Sequence, residues 1–253
     1  MDLPTWERAH LLEGGYAPHL FFKIHGDFDG ELQVDQERHR CAGLPKGLQL
    51  DFFRKDDESG AFNFGLTDSL NLSLKDLAPG TLGTIQTSPS CVVLRGEVEE
   101  HASLDYLRDA VGIVQSMLET EGVAVFDPFV LSWFSPEDWS ARHFVQDAFR
   151  PFEHVTIIVS EDGPAGHSWY HTRGMIKFGR PDISVREVPP ELGGRVQELC
   201  DRYIAHMALG GVVPDGEVVR MEGLPNWVCQ TRGSFDDPDF NNLHLAIGVG
   251  EPS

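Results

Sequence analysis

Apolar residues repeat along this chain with two periods, and the points where one period gives way to the other outline its elements. Between 103 and 121 the stripe Leu104, Leu107, Val111, Val114 and Leu118 follows the helical repeat, with Ser103 placed to cap the start and Gly122 to end it. A second helical stripe, Leu192, Val196, Leu199, Tyr203 and Met207, spans 191–209 and stops at Gly210 and Gly211. Ser135-Pro136-Glu137-Asp138 places Ser at a cap and Pro at the first helical position, which predicts a helix running to about Phe149. Near the start, Trp6, Leu11 and Leu12 predict a short helix over 5–13, closed by Gly14 and Gly15.

Elsewhere the apolar runs are short and rich in β-formers. Runs at 20–24, 48–53, 62–66 and 82–85, punctuated by Gly, Asp and Pro, predict a mostly antiparallel β region over 1–88. From 89 to 253 the character is mixed. Strands at 91–98 and 123–126 flank the first long helix as a β-α-β unit, whose crossover is right-handed if the strands are parallel neighbours. A buried strand follows at 155–159, then an extended stretch at 169–171, a short helix over 173–178 capped by Thr172 and closed by Gly179, and strands at 183–188, 218–221, 227–230 and 243–249. The fold class expected is α+β: a β-rich region at 1–88 and an α+β region at 89–253, with no linker tract between them.

Composition adds a globular chain with an unusual charge. Of 253 residues, 41% are hydrophobic and 24% charged, enough for a core without disulfide or metal support. Forty acidic residues against twenty basic ones leave a net charge of −20, which repels phosphate backbones and anionic lipid headgroups. Nucleic acid and membrane surfaces are therefore excluded as general partners, whereas a basic protein is not. Cys41, Cys91, Cys200 and Cys229 form no C-x-x-C pair and read as reduced thiols. Without a basic-then-apolar opening or an apolar run of spanning length, the expected address is cytoplasmic.

Against this negative background the segment from His171 to Arg180 is a basic island. Arg173 and Lys177 are spaced to share one face of the predicted short helix, and Thr172 adds donors at its start. With Arg180 they compose a seat for a carboxylate or phosphate, beside which His171 can exchange a proton near neutral pH. The competing reading is that these cations pair with neighbouring acids, beginning with Asp182. His167 and His171 have a metal-like spacing, but an extended chain holds such positions about 13 Å apart, so no metal is assigned. Asp127, at the carboxyl end of a predicted strand, reads first as an ordinary Asp-Pro turn opening and is also a candidate acid. Strand alternation places Asn242 and His244 opposite Leu243, Leu245 and Ile247, making His244 a further candidate ligand-binding group. The acids from Asp236 to Asp239 lack the calcium-loop pattern and read as a polar turn. Dinucleotide, P-loop, serine-hydrolase and zinc-protease motifs are missing, and no cofactor follows from the residues.

The stretches Cys91-Val-Val-Leu-Arg-Gly-Glu-Val, Phe134-Ser-Pro-Glu-Asp-Trp139, His171-Thr-Arg-Gly-Met, Phe178-Gly-Arg-Pro-Asp182 and 236–244 resemble a family of microbial, cytosolic proteins with no established activity. The resemblance spans about 89–247 and implies a cytosolic α+β protein without assigning a mechanism. Two functions stay open. One is binding, with or without transformation, of a small anionic molecule by His171, Thr172, Arg173, Lys177, Arg180 and His244, with Asp127 as a proton partner. The other is a non-enzymatic, inhibitor-like protein whose acidic surface docks on a basic partner.

Overall fold

A computed structural model describes residues 3–28, 33–57, 60–66, 77, 80–144 and 149–249. The chain is α+β and divides into two compact units. Unit 1 comprises Met1–Glu7 and His19–Arg150, and unit 2 comprises Arg8–Pro18 and Pro151–Ser253. This division differs from the change of character expected at 88/89, because the strand that begins at Ser90 pairs on both sides with strands from the earlier segment.

Unit 1 is built on an antiparallel sheet of β1 (His19–Gly26), β2 (Leu48–Arg54), β3 (Ser90–Glu97), β4 (Gly122–Asp127) and β5 (Ser132–Phe134), in the order β2-β3-β1-β4-β5. The expected β-α-β unit is present in sequence, but its strands are not neighbours. β1 lies antiparallel between β3 and β4, so the helix α2 (Asp105–Thr120) carries the chain past an occupied slot. Leu20, Phe22 and Ile24 of β1 are buried, Phe22 meeting Trp139 of helix α3 (Pro136–Arg142) edge-on at 5.3 Å. Ser135 caps α3 as its sequence predicts, its hydroxyl accepting from the Asp138 amide, but the helix ends at Arg142. The remainder of the span expected to be helical includes residues outside those described.

Three local expectations in this unit fail for identifiable reasons. The 5–13 segment is not helical, because its amides and carbonyls bond elsewhere: Trp6 receives the Leu104 amide at 2.7 Å, and its own amide meets Asp105. The 62–66 run is a turn whose carbonyls at Phe62 and Phe64 both accept from the fully buried Lys23 ammonium at 2.7 Å. The 82–85 run lies in a helix, α1 (Thr81–Thr87), with Ile85 buried against Ala124, Phe126 and Trp133.

Unit 2 holds a mixed sheet of β6 (Thr156–Glu161), β7 (Ser168–Arg173), β8 (Asp182–Val188), β9 (Val228–Ser234) and β10 (Asn242–Gly248), in the order β6-β7-β8-β10-β9. The β8–β10 pair is parallel and the others are antiparallel. Helix α4 (Gly193–Ala208) covers one face, burying Val196, Leu199, Cys200, Ile204 and Met207. β6, expected to be buried, is an edge strand paired with β7, and Val159 is 49% exposed. The 218–221 run contributes an isolated bridge from Val218 to Val228 rather than a strand.

Residues 8–18 form a strap within unit 2. The His10 amide donates to Leu209 at 2.9 Å, the Leu12 amide to Gly210 at 3.0 Å and the Tyr16 amide to Gly179 at 3.2 Å. Gly179 and Gly210 both adopt positive φ, and a Cβ on either would sit within 2.1 Å of the Tyr16 carbonyl oxygen or 2.6 Å of the Leu11 Cα, so the strap fits only against bare backbone. Arg8 reaches the Phe178 carbonyl at 3.0 Å. Arg180 completes the closure: its Nε donates to Gly211, Nη1 to Gly179, and Nη2 to Gly210 and, at 3.4 Å, to Leu12.

A point charge does not reproduce that fork. Arg180→Lys is expected to lose most of the stability lost by Arg180→Ala, about 3 kcal/mol, because carbonyls are left unsatisfied either way. The exposed control Arg195→Ala should stay within about 0.5 kcal/mol. Urea unfolding of the three variants checks this, and a fully stable Arg180→Lys would contradict it.

Candidate functional site

The structure redistributes the basic island. Thr172 and Arg173 end β7 instead of opening a helix, and the following turn is a short 3-10 segment, Met175–Phe178, between the positive-φ Gly174 and Gly179. The Thr172 hydroxyl does not cap that turn. It donates to Asp182 at 2.9 Å and accepts from the Ile183 amide at 2.8 Å, while Asp182 accepts from the Met175 amide at 3.2 Å and so takes the capping role from across the turn. Arg173 and Lys177 therefore share no helical face. Lys177 is fully buried in the 3-10 turn, Arg173 is held by the Asp239 carbonyl, and Arg180 is committed to the strap. The expected convergence of Arg173, Lys177 and Arg180 on one anion is not what the structure builds: the three leave the segment in different directions, with Arg173 donating to the Asp239 carbonyl and Arg180 to carbonyls of 179, 210 and 211.

Asp182 is the buried centre of a polar chain. Asn242 donates to it at 2.8 Å and to the Arg180 carbonyl at 3.0 Å, and Tyr16 of the strap donates to Asn242 at 2.5 Å. Burial pushes the Asp182 carboxyl up to about 6 despite its donors, and also holds the Tyr16 phenol protonated.

On the sheet face of unit 2 that alternation turns away from Leu245 and Ile247, the structure brings together two of the expected residues, His171 and His244. In register, His171 lies opposite Ser184, and His244 lies beside Asp182 on one side and Arg232 on the other. The His171 ring stacks on Trp169 at 3.9 Å, Phe240 meets it edge-on at 5.7 Å, and Phe240 stacks on His244 at 4.4 Å. The Trp169 indole donates to Ser184, and the Arg186 guanidinium lies 3.9 Å over the indole ring. Nδ1 of both imidazoles is buried without a hydrogen-bond partner. His171 is 6% exposed. Its proton affinity is lowered to about 4, first by burial and then by Arg173 and Arg186, with Asp239 opposing. His244 is lowered in the same direction by burial, with Arg186 and Arg232 adding to the effect and Asp237, 3.8 Å from its Nδ1, opposing it.

Asp127 belongs to unit 1, at the end of β4, where its carboxylate accepts from the Phe129 amide at 2.9 Å. That is the turn geometry, and the acid set beside an imidazole is Asp237 instead. Trp169, Ser184, Arg186, Arg232, Asp237 and Phe240 were not singled out from the sequence. Alternation along β7 places Trp169 on the same face as His171 and could have found it; the others lie on other strands and in the 235–241 turn, where no local signal marks them. The chain matches no protein-family model, no curated protein and no solved structure. Among the described residues no helix is long and apolar enough to cross a membrane.

His171 and Asp182 give stability opposite pH dependences. The unfolded imidazole takes a proton near 6.5 and the folded one near 4, so stability falls as pH drops through that window. The folded carboxyl holds its proton to about 6 against 3.8 when unfolded, so its contribution is full below 3.8 and is lost as pH rises through 6. Relative to wild type, His171→Phe should therefore lose stability as pH rises from 4 to 6.5, and Asp182→Asn should gain it. Denaturant midpoints at half-unit pH intervals measure both slopes; equal slopes in the two variants would contradict the assignment.

Proposed function

We propose that unit 2 binds a small anionic molecule on the outer face of its sheet, with His171 and His244 as the recognising groups and as proton partners. The observation that carries this reading is the pair of buried Nδ1 atoms with no hydrogen-bond partner. Burying a polar nitrogen unpaired is unfavourable by about 1–3 kcal/mol, which a ligand or water completing the bonding would offset. Other imidazoles of the chain, His25 and His167 among them, share this feature, and what distinguishes His171 and His244 is that they lie together on one sheet face beside charged groups. Arg173 and Arg186 act on His171 and Arg186 and Arg232 on His244, opposed by Asp237 and Asp239, and Arg186 is also paired with Asp162 at 3.2 Å, so both signs of charge stand beside the imidazoles. Trp169 and Phe240 hold the two imidazoles in place, by stacking on His171 and on His244 respectively.

The chemistry available is hydrogen bonding by neutral imidazoles and transfer of a proton to or from them, with Asp237 positioned to stabilise the imidazolium form of His244. Lys177 and Arg180 take no part in this reading, and Arg173 contributes through its charge.

An anion seated here must raise the proton affinity of the imidazole it touches, by linkage. Titrating the protein with inorganic phosphate, sulfate, acetate and succinate while following the histidine Cε1–H resonances is expected to move the His171 midpoint upward from about 4 with at least one of them. Arg186→Ala should weaken that ligand about tenfold, the effect of losing about 1.4 kcal/mol. No movement of either histidine with any of the four ends the reading.

A further inference from the structure

Unit 1 contains a cavity of about 360 Å³ on the sheet face that carries Phe21 and Lys23, lined by Phe21, Phe53, Gly60, Ala61, Phe64, Val93 and Arg95. Its volume lies at the lower end of the range that holds small ligands, and its walls are mainly aromatic and aliphatic, as in such sites. We propose that it is a second small-molecule site, independent of the histidine face, for an aryl-alkyl monocarboxylate.

The apolar part of the ligand is specified by three phenylalanines on separate segments. Phe21 comes from β1, Phe53 from β2 and Phe64 from the turn above them, with Phe21 and Phe64 edge-on at 5.8 Å. This arrangement offers a third ring edge and face contacts of the kind aromatic groups favour. The roof does not depend on the ligand for its position. Lys23, fully buried, holds the Phe62 and Phe64 carbonyls at 2.7 Å each, which pins the turn over the sheet and keeps Phe64 from collapsing onto it. Gly60 and Ala61 add little bulk to the lining, and a Cβ at Gly60 would meet nothing within 4 Å.

The carboxylate is specified by Arg95, the cation among the described lining residues. Its Nε is committed to Asp51 at 2.6 Å, and its Nη groups make no hydrogen bond to any described residue, which leaves one side of the guanidinium fork for a carboxylate oxygen pair. A single cation whose charge is already matched by Asp51, in a chain of net charge −20, gives hydrogen-bond donors rather than surplus positive charge, which disfavours a phosphate dianion more than a monocarboxylate.

The test uses the whole chain with 3-phenylpropionate and its uncharged isostere 3-phenylpropanamide, each titrated by calorimetry and by ligand-observed NMR. The expected result is saturable binding of the acid, about tenfold weaker in Arg95→Met, with the amide binding equally to both proteins. Ala61→Trp, which adds bulk to the lining, should abolish binding of both probes. Arg95→Met alters a half-exposed surface residue and keeps the test valid should the Trp variant fail to fold. His171→Ala should leave binding unchanged, which separates this site from the one in unit 2. Absence of binding to wild type at 5 mM (roughly the weakest affinity of interest), equal affinity of acid and amide, or a loss with His171→Ala equal to that with Arg95→Met would each overturn the proposal.

Discussion

The Arg180 guanidinium lies just beyond the C-terminal end of α4, where backbone carbonyls outnumber the amides available to them, and it donates to Gly210 and Gly211 there, to its neighbour Gly179 and to Leu12 of the strap. The carbonyl end of a helix carries partial negative charge, so a cation is favoured there. At 1% exposure the charge has little water to solvate it, and the ring of oxygens takes water's place. The rest of unit 2 is arranged around that contact. The strap is tied down by it, Tyr16 is thereby set against Asn242, and Asn242 in turn bonds Asp182 and orders the start of β8.

A consequence for function is that charge in this unit is sorted by depth. The cations nearest the strap and the Met175–Phe178 turn are consumed by the fold, and those further along the strands, Arg186 and Arg232, stand beside the imidazoles. Burial without hydrogen bonds keeps His171 neutral over most of the physiological range, whereas burial with three donors brings Asp182 only part of the way back toward an ordinary carboxylate. The two groups are close in register yet opposite in what they ask of a proton.

Both long helices were legible because an apolar stripe of 3.6-residue period is hard to reproduce by chance, and the Ser135 cap was legible because its chemistry is local. The core strands β1, β2, β3 and β10 were legible for a related reason: their apolar runs end in turn residues. What failed had its causes at long sequence separation. The 82–85 run is too short to distinguish strand from helix by period, and Phe62 to Leu66 became a turn because a lysine on another strand binds its carbonyls. The basic island reads as one cluster in sequence, but strand, 3-10 turn and strand send its side chains to separate targets. His244 was found because alternation is a property of the strand itself, and His171 because it opens the basic island, although that island is not the site. Arg186 and Phe240 were not, since neither the register of a neighbouring strand nor the path of a turn can be read from β7 alone.

The strap also fixes an order of events. Residues 8–18 belong to unit 2, yet they are followed by the whole of 19–150, which belongs to unit 1, before the first main-body residue of unit 2 is reached. A ribosome making this chain releases the strap long before Arg180, Gly210 and Gly211 exist to receive it. Unit 2 is therefore completed last, by closing a loop of more than a hundred residues, and a fragment starting at 151 would be made without the backbone that its own central arginine is built to hold.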